Sequence, residues 1–112
     1  MFDDALQARA RALVALYREA GLTIVTAESC TGGLIAGLIT EVPGSSAVLE
    51  RGFVTYSNAA KAQSLGVPTD LLREFGAVST QTAQAMAAGA LTHSMAKVAV
   101  GVTGVAGPGG GT

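Results

Sequence analysis

Two hydrophobic rhythms alternate along this chain, and the switches between them mark its elements. Over 4–20 the apolar positions Leu6, Ala10, Leu13, Tyr17 and Ala20 recur every three or four residues, which predicts an amphipathic helix stopped by Gly21. Residues 22–27 are continuously apolar apart from two threonines and predict a buried strand; 32–40 predicts a second helix, closed before Pro43-Gly44. A strand is expected over 47–57, with Gly52 marking a bend or bulge. Asn58 is then a candidate N-cap for a helix over 59–65, and Thr69 for another through Phe75. The longest helical pattern opens at Ser79 or Thr80 and runs to about residue 96, with Ala83, Met86, Ala87, Ala90, Leu91 and Met95 on one face. A continuous apolar strand follows over 97–102.

Helices alternating with buried strands give an α/β chain. The expected architecture is a three-layer α/β/α sandwich around a largely buried mixed sheet, formed as a single domain over 1–112. Three strands are few for so many helices, and the glycine-rich end reads as entry into a loop, so the sheet's C-terminal strands are expected in further chain beyond it. Composition sharpens this picture. Of 112 residues 49% are hydrophobic and only 13% charged, too little charge to cover a surface, so a homodimer or higher homo-oligomer is expected. Seven Lys and Arg are scattered and the net charge is −1, which argues against nucleic acid as a partner. No apolar run reaches a membrane span and no cationic leader is visible, so no membrane association is expected. One cysteine cannot form an internal disulfide, which fits a cytoplasmic location, and one cysteine with one histidine leaves no ligand set for a structural zinc.

The densest chemistry lies in Thr26-Ala27-Glu28-Ser29-Cys30-Thr31-Gly32-Gly33, between the first strand and the second helix. Open α/β sheets bind ligands at the carboxyl ends of their strands, and a helix start offers free N–H groups to an anion or developing oxyanion. Gly32 and Gly33 would let a ligand approach the backbone. The same residues also suit a tight turn in which Ser29 or Thr31 merely caps a helix. A serine nucleophile needs a base. The sole histidine, His93, sits in the alanine-rich helical pattern, which leaves a lysine of lowered pKa. Lys61 is the candidate, the only cation between Arg51 and Arg73, five residues after Tyr56 across a strand-to-helix junction. Tyr56 could relay a proton between them, although an exposed lysine and an interface tyrosine would give the same spacing. Cys30 at a helix start is a second possible nucleophile, or a small buried filler. The tail from Thr103 to Gly111 could wrap an anion in backbone N–H groups.

Taken in order, TAESCTGGLIAGLIT, GFVTYSNAAKAQSLGV, VSTQTAQAMAAGA and GVTGVAGPGGGT resemble the CinA C-terminal domain family, the nicotinamide-nucleotide amidohydrolases. The resemblance runs from about residue 5 to the end. It implies hydrolysis of the carboxamide of nicotinamide mononucleotide, a small-molecule nucleotide substrate, to nicotinate mononucleotide and ammonia in pyridine nucleotide (NAD) salvage. It also implies Ser29 as nucleophile, Tyr56 and Lys61 as proton-handling partners, and no cofactor or metal. Substrate contacts are expected from Glu28, Cys30, Thr31, Gly32 and Gly33, and from Thr103, Gly104, Ala106 and Gly107 of the glycine-rich segment. Family domains usually continue past that segment with further strands and an arginine-bearing stretch. A non-catalytic nucleotide-binding or regulatory subunit of the same fold is the alternative.

Overall fold

The computed structural model describes residues 1–105. The elements run α1 (Asp4–Ala20), β1 (Ile24–Glu28), α2 (Leu34–Thr40), a 3-10 turn (Ser45–Ala47), β2 (Leu49–Val54), α3 (Asn58–Leu65), α4 (Thr69–Phe75), α5 (Thr80–Thr92) and β3 (Val98–Val102). β1 is central in the order β2-β1-β3, and both pairings are parallel. The antiparallel member that would make the sheet mixed is not among the described strands. All five residues of β1 are buried, as a strand covered on both faces requires.

Alternation along β1 assigns the two faces. Ile24 packs with Ala10 and Val14 of α1, Ile39 of α2, and Val42 and Val48; Val25 and Ala27 pack with Leu65, Leu72, Met86 and Ala90 of α3, α4 and α5. These are two cores on opposite sides of one sheet, the α/β/α sandwich expected. Close approach of α5 to β3 and to α3 is what fixes two glycines: a Cβ on Gly101 would collide with the Ala83 carbonyl, and one on Gly89 with the Leu65 carbonyl. Among the described residues no helix is long and apolar enough to cross a membrane.

Several boundaries differ from the sequence reading. On α1 the buried stripe is Ala10 and Val14, while Leu6 is exposed. The irregularity in β2 falls at Glu50, since the partner of β1 steps from Leu49 at Ile24 to Arg51 at Val25. Gly52 is needed instead for contact: a Cβ there would meet Thr26 Oγ1 at 2.8 Å. α2 begins at Leu34, because Gly32 and Gly33 both hold positive φ (60° and 99°), which keeps them out of the helix. Ser57, not Asn58, caps α3 by accepting from the Ala60 amide at 3.0 Å, and Thr69 lies inside α4 behind Pro68. α5 stops at Thr92, because Arg51 donates to the His93 carbonyl and the Met95 amide donates to Glu50 as the chain turns back towards β3. Met95 beyond the helix end is exposed, and so is Leu91 within it.

Candidate active site

The alternation that sorts the cores also separates two adjacent polar residues at the end of β1. Glu28 continues the Ile24 side and meets α2. Its buried carboxylate accepts from the Ile35 amide at 2.9 Å, the Ala36 amide at 3.0 Å and the Thr31 hydroxyl at 2.6 Å. The positive end of α2 thus faces a carboxylate of the protein itself. Glu28 is not among the residues that line the cavity around Ser29. Thr31, Gly32 and Gly33 form the turn that brings α2 back onto this carboxylate, and none of them lines the cavity around Ser29.

Ser29 points the other way. Its amide extends the sheet ladder to the Val102 carbonyl at 2.9 Å, and its side chain meets α3. Lys61, in the first turns of α3, is 1% exposed and its Nζ donates to Ser29 Oγ at 2.9 Å, to the Tyr56 carbonyl at 3.0 Å and to the Thr55 carbonyl at 3.1 Å. No carboxylate pairs with it among the described residues. Burial therefore pushes the Lys61 ammonium below its ordinary value, opposed in part by the electrostatic influence of the neighbouring Cys30. Two carbonyls and one hydroxyl are also what a neutral amine needs: two N–H groups donate to the carbonyls and the lone pair faces the serine.

Tyr56 enters this arrangement through its backbone. Its carbonyl holds Lys61 and lies 3.4 Å from Ser29 Oγ, while the side chain is 76% exposed. The phenol hydrogen-bonds to neither Ser29 nor Lys61, so the expected relay through the ring is not formed. Thr55 was not anticipated, because a main-chain acceptor leaves no mark in the pattern of side chains.

Ser29 and Lys61 open onto a cavity of 340 Å³ walled by Cys30, Tyr56, Ala77, Val78, Thr103, Gly104 and Val105. That volume lies in the range of small-molecule sites. Thr103 and Gly104 thus reach the site as expected, and Ala106 and Gly107 lie outside the described residues. Cys30 is half-buried, and a Cβ built on Gly104 would stand 3.4 Å from its sulfur. No base hydrogen-bonds to that sulfur among the described residues. Ala77 and Val78 had only a weak signal, an apolar pair in the loop between Gly76 and Ser79. The larger depression of 410 Å³ between α3 and α4 contains neither Ser29 nor Lys61.

The sequence profile of the CinA C-terminal domain matches residues 6–112. The chain belongs to the CinA C-terminal domain family. A CinA-like protein of Chloroherpeton thalassium is 58% identical over 97 residues, 87% of this chain and 23% of its own length. Another, from Geobacter sulfurreducens, is 57% identical over 101 residues, 90% of this chain and 24% of its own. The chain spans about a quarter of the length of these curated relatives. Among solved structures, a competence/damage inducible protein of Agrobacterium tumefaciens superposes with a TM-score of 0.96 at 57% identity, covering 100% of this chain and 68% of that one. A CinA superfamily protein of Escherichia coli gives 0.93 at 34% identity, covering 99% and 66%. The α/β fold described above is therefore that of the CinA family.

Proposed function

We propose that this CinA-family chain is a serine amidohydrolase that releases ammonia from the carboxamide of nicotinamide mononucleotide, with Ser29 as nucleophile and Lys61 as its base. The observation that carries the reading is the 2.9 Å contact between Ser29 Oγ and a buried lysine that has no carboxylate partner. An ion-paired lysine would be held as ammonium. Burial without an ion pair shifts this one towards the neutral form.

Neutral Lys61 takes the hydroxyl proton as Ser29 Oγ attacks the amide carbon, giving a tetrahedral oxyanion. The ammonium returns that proton to the departing nitrogen, so ammonia leaves and an acyl-serine remains. Lys61, neutral again, deprotonates water, which attacks the ester; collapse yields the carboxylate and restores Ser29. Backbone amides near Cys30 are the candidate oxyanion donors. Of these, only Cys30 lines the cavity beside Ser29, and its amide has no protein acceptor among the described residues. The choice of substrate rests on the family resemblance of the four motifs, and the cavity size supports it. The reading carries with it a cytoplasmic reaction in pyridine nucleotide salvage and a homo-oligomeric enzyme. Exposed Leu16, Val54 and Met95 support the latter.

Ammonia release from nicotinamide mononucleotide, followed beside calorimetric binding of the same compound, tests the reading. Turnover lost in Ser29→Ala with binding retained is expected. Binding without turnover by the parent protein would favour the non-catalytic alternative.

A further inference from the structure

The loop that follows β3 is fastened to the opposite cavity wall by one side chain. Thr103 Oγ1 donates to the Ala77 carbonyl at 2.7 Å, across 26 residues of sequence. Both ends of that bond line the site, Ala77 and Val78 on one side and Thr103, Gly104 and Val105 on the other. The Ala77 end is itself anchored. Ser79 Oγ and Thr82 Oγ1 both donate to the Gly76 carbonyl, at 3.0 and 2.7 Å, and tie this loop to the start of α5. On its other flank the 103–105 segment lies over the nucleophile turn, with Gly104 packed against Cys30. The segment therefore bridges two walls, and the only side-chain hydrogen bond that joins it to either, among the described residues, is the one from Thr103.

We infer that Thr103 is a positioning residue that latches the 103–105 segment across the cavity, setting the fit of substrate beside Ser29 while leaving the Ser29–Lys61 pair untouched. This rests on the proposed function for its kinetic consequence, and not for its structural one. Thr103 acts on the wall, so its loss acts on substrate binding. Lys61 is held by the Thr55 and Tyr56 carbonyls, and Thr103 hydrogen-bonds to neither, so the chemical step keeps its base.

The test compares Thr103→Val, which keeps the shape and removes the donor, with Thr103→Ser, which keeps the donor. The first readout is the rate at which iodoacetamide alkylates Cys30, the only cysteine, in the native protein. Faster alkylation in Thr103→Val and near-parental alkylation in Thr103→Ser are expected, because a released segment uncovers the sulfur beneath Gly104. The second readout is KM for nicotinamide mononucleotide. Thr103→Val should raise it by about 3- to 10-fold, the worth of one net hydrogen bond, with kcat little changed. Equal alkylation in all three proteins would overturn the latch, as would a Thr103→Ser protein no better than Thr103→Val. A fall in kcat at unchanged KM would overturn its role as a binding wall. If the parent turns over no substrate, the proposed function fails while the alkylation comparison still decides the latch.

Discussion

Glu28 and Lys61 are the two fully buried charged side chains of the described core, and they stand on opposite faces of the sheet with Ser29 between them. Glu28 is compensated within the protein: two amides of α2 and one hydroxyl donate to its carboxylate. Lys61 has hydrogen bonds but no opposite charge, and one of its three partners is the candidate nucleophile. A buried charge that is fully compensated holds structure together. One that is hydrogen-bonded but has no opposite charge is poised to move a proton. The difference arises from a single step along a strand, which turns residue 28 towards α2 and residue 29 towards α3.

The contrast breaks most sharply on the Lys61 side. Lys61→Met should lower kcat by about 10²- to 10⁴-fold, the usual worth of a positioned general base, with far-ultraviolet circular dichroism unchanged. Retained turnover would remove Lys61 from the mechanism. The parent enzyme's kcat/KM should rise with pH through the lowered pKa of Lys61, as the neutral amine accumulates. Stability should move in the same direction. Because the folded pKa lies below the unfolded one, the unfolded chain binds more protons between the two, and unfolding free energy climbs with pH until unfolded lysine titrates near about 10.4. Urea titrations at several alkaline pH values should show this climb in the parent and its loss in Lys61→Met.

Glu28 should fail differently. Glu28→Gln keeps the shape but weakens three charge-assisted contacts and presents an amide donor to one of the two backbone amides. A loss of about 1–3 kcal/mol in urea unfolding is expected. The surviving folded fraction should keep most of its kcat. A variant with full stability and abolished turnover would instead bring Glu28 into the chemistry.

Much of this contrast could be read before any coordinates. The continuous apolar runs over 22–27 and 97–102 foretold doubly covered strands, and the first of them supplied the sheet edge where Ser29 lies. The hydrophobic pattern does not reach what happens between side chain and main chain. Glu28 looked like a substrate contact because its partners, the Ile35 and Ala36 amides, have no signature in sequence. Tyr56 looked like a relay because its side chain is chemically suggestive, whereas its carbonyl does the holding. Gly52 looked like a bulge, yet it is glycine because Thr26 and Ala36 crowd it from the neighbouring elements. Tyr56→Phe sharpens the second of these. It should lower kcat by no more than about threefold, less than one hydrogen bond is usually worth, against the hundredfold or greater loss of a true proton relay.

The smallest effect compares the two faces through a matched pair of threonines. Thr26 lies on the Glu28 side and Thr55 beside Lys61; both are buried, and neither hydroxyl has a protein partner among the described residues. Valine has the same branched shape and no polar atom to desolvate. Replacing each in turn should therefore leave stability within about 1 kcal/mol of the parent, or raise it. If both faces were mere packing, the two variants would behave alike in activity as well as in stability. Thr55 also supplies a carbonyl to Lys61, and valine retains that carbonyl, so unchanged kcat in Thr55→Val would show that the lysine depends on main chain alone at this position. A fall in kcat confined to Thr55→Val, with Thr26→Val unaffected, would instead mean that the Thr55 hydroxyl reaches the reacting groups, and the Lys61 side would then hold a third functional side chain.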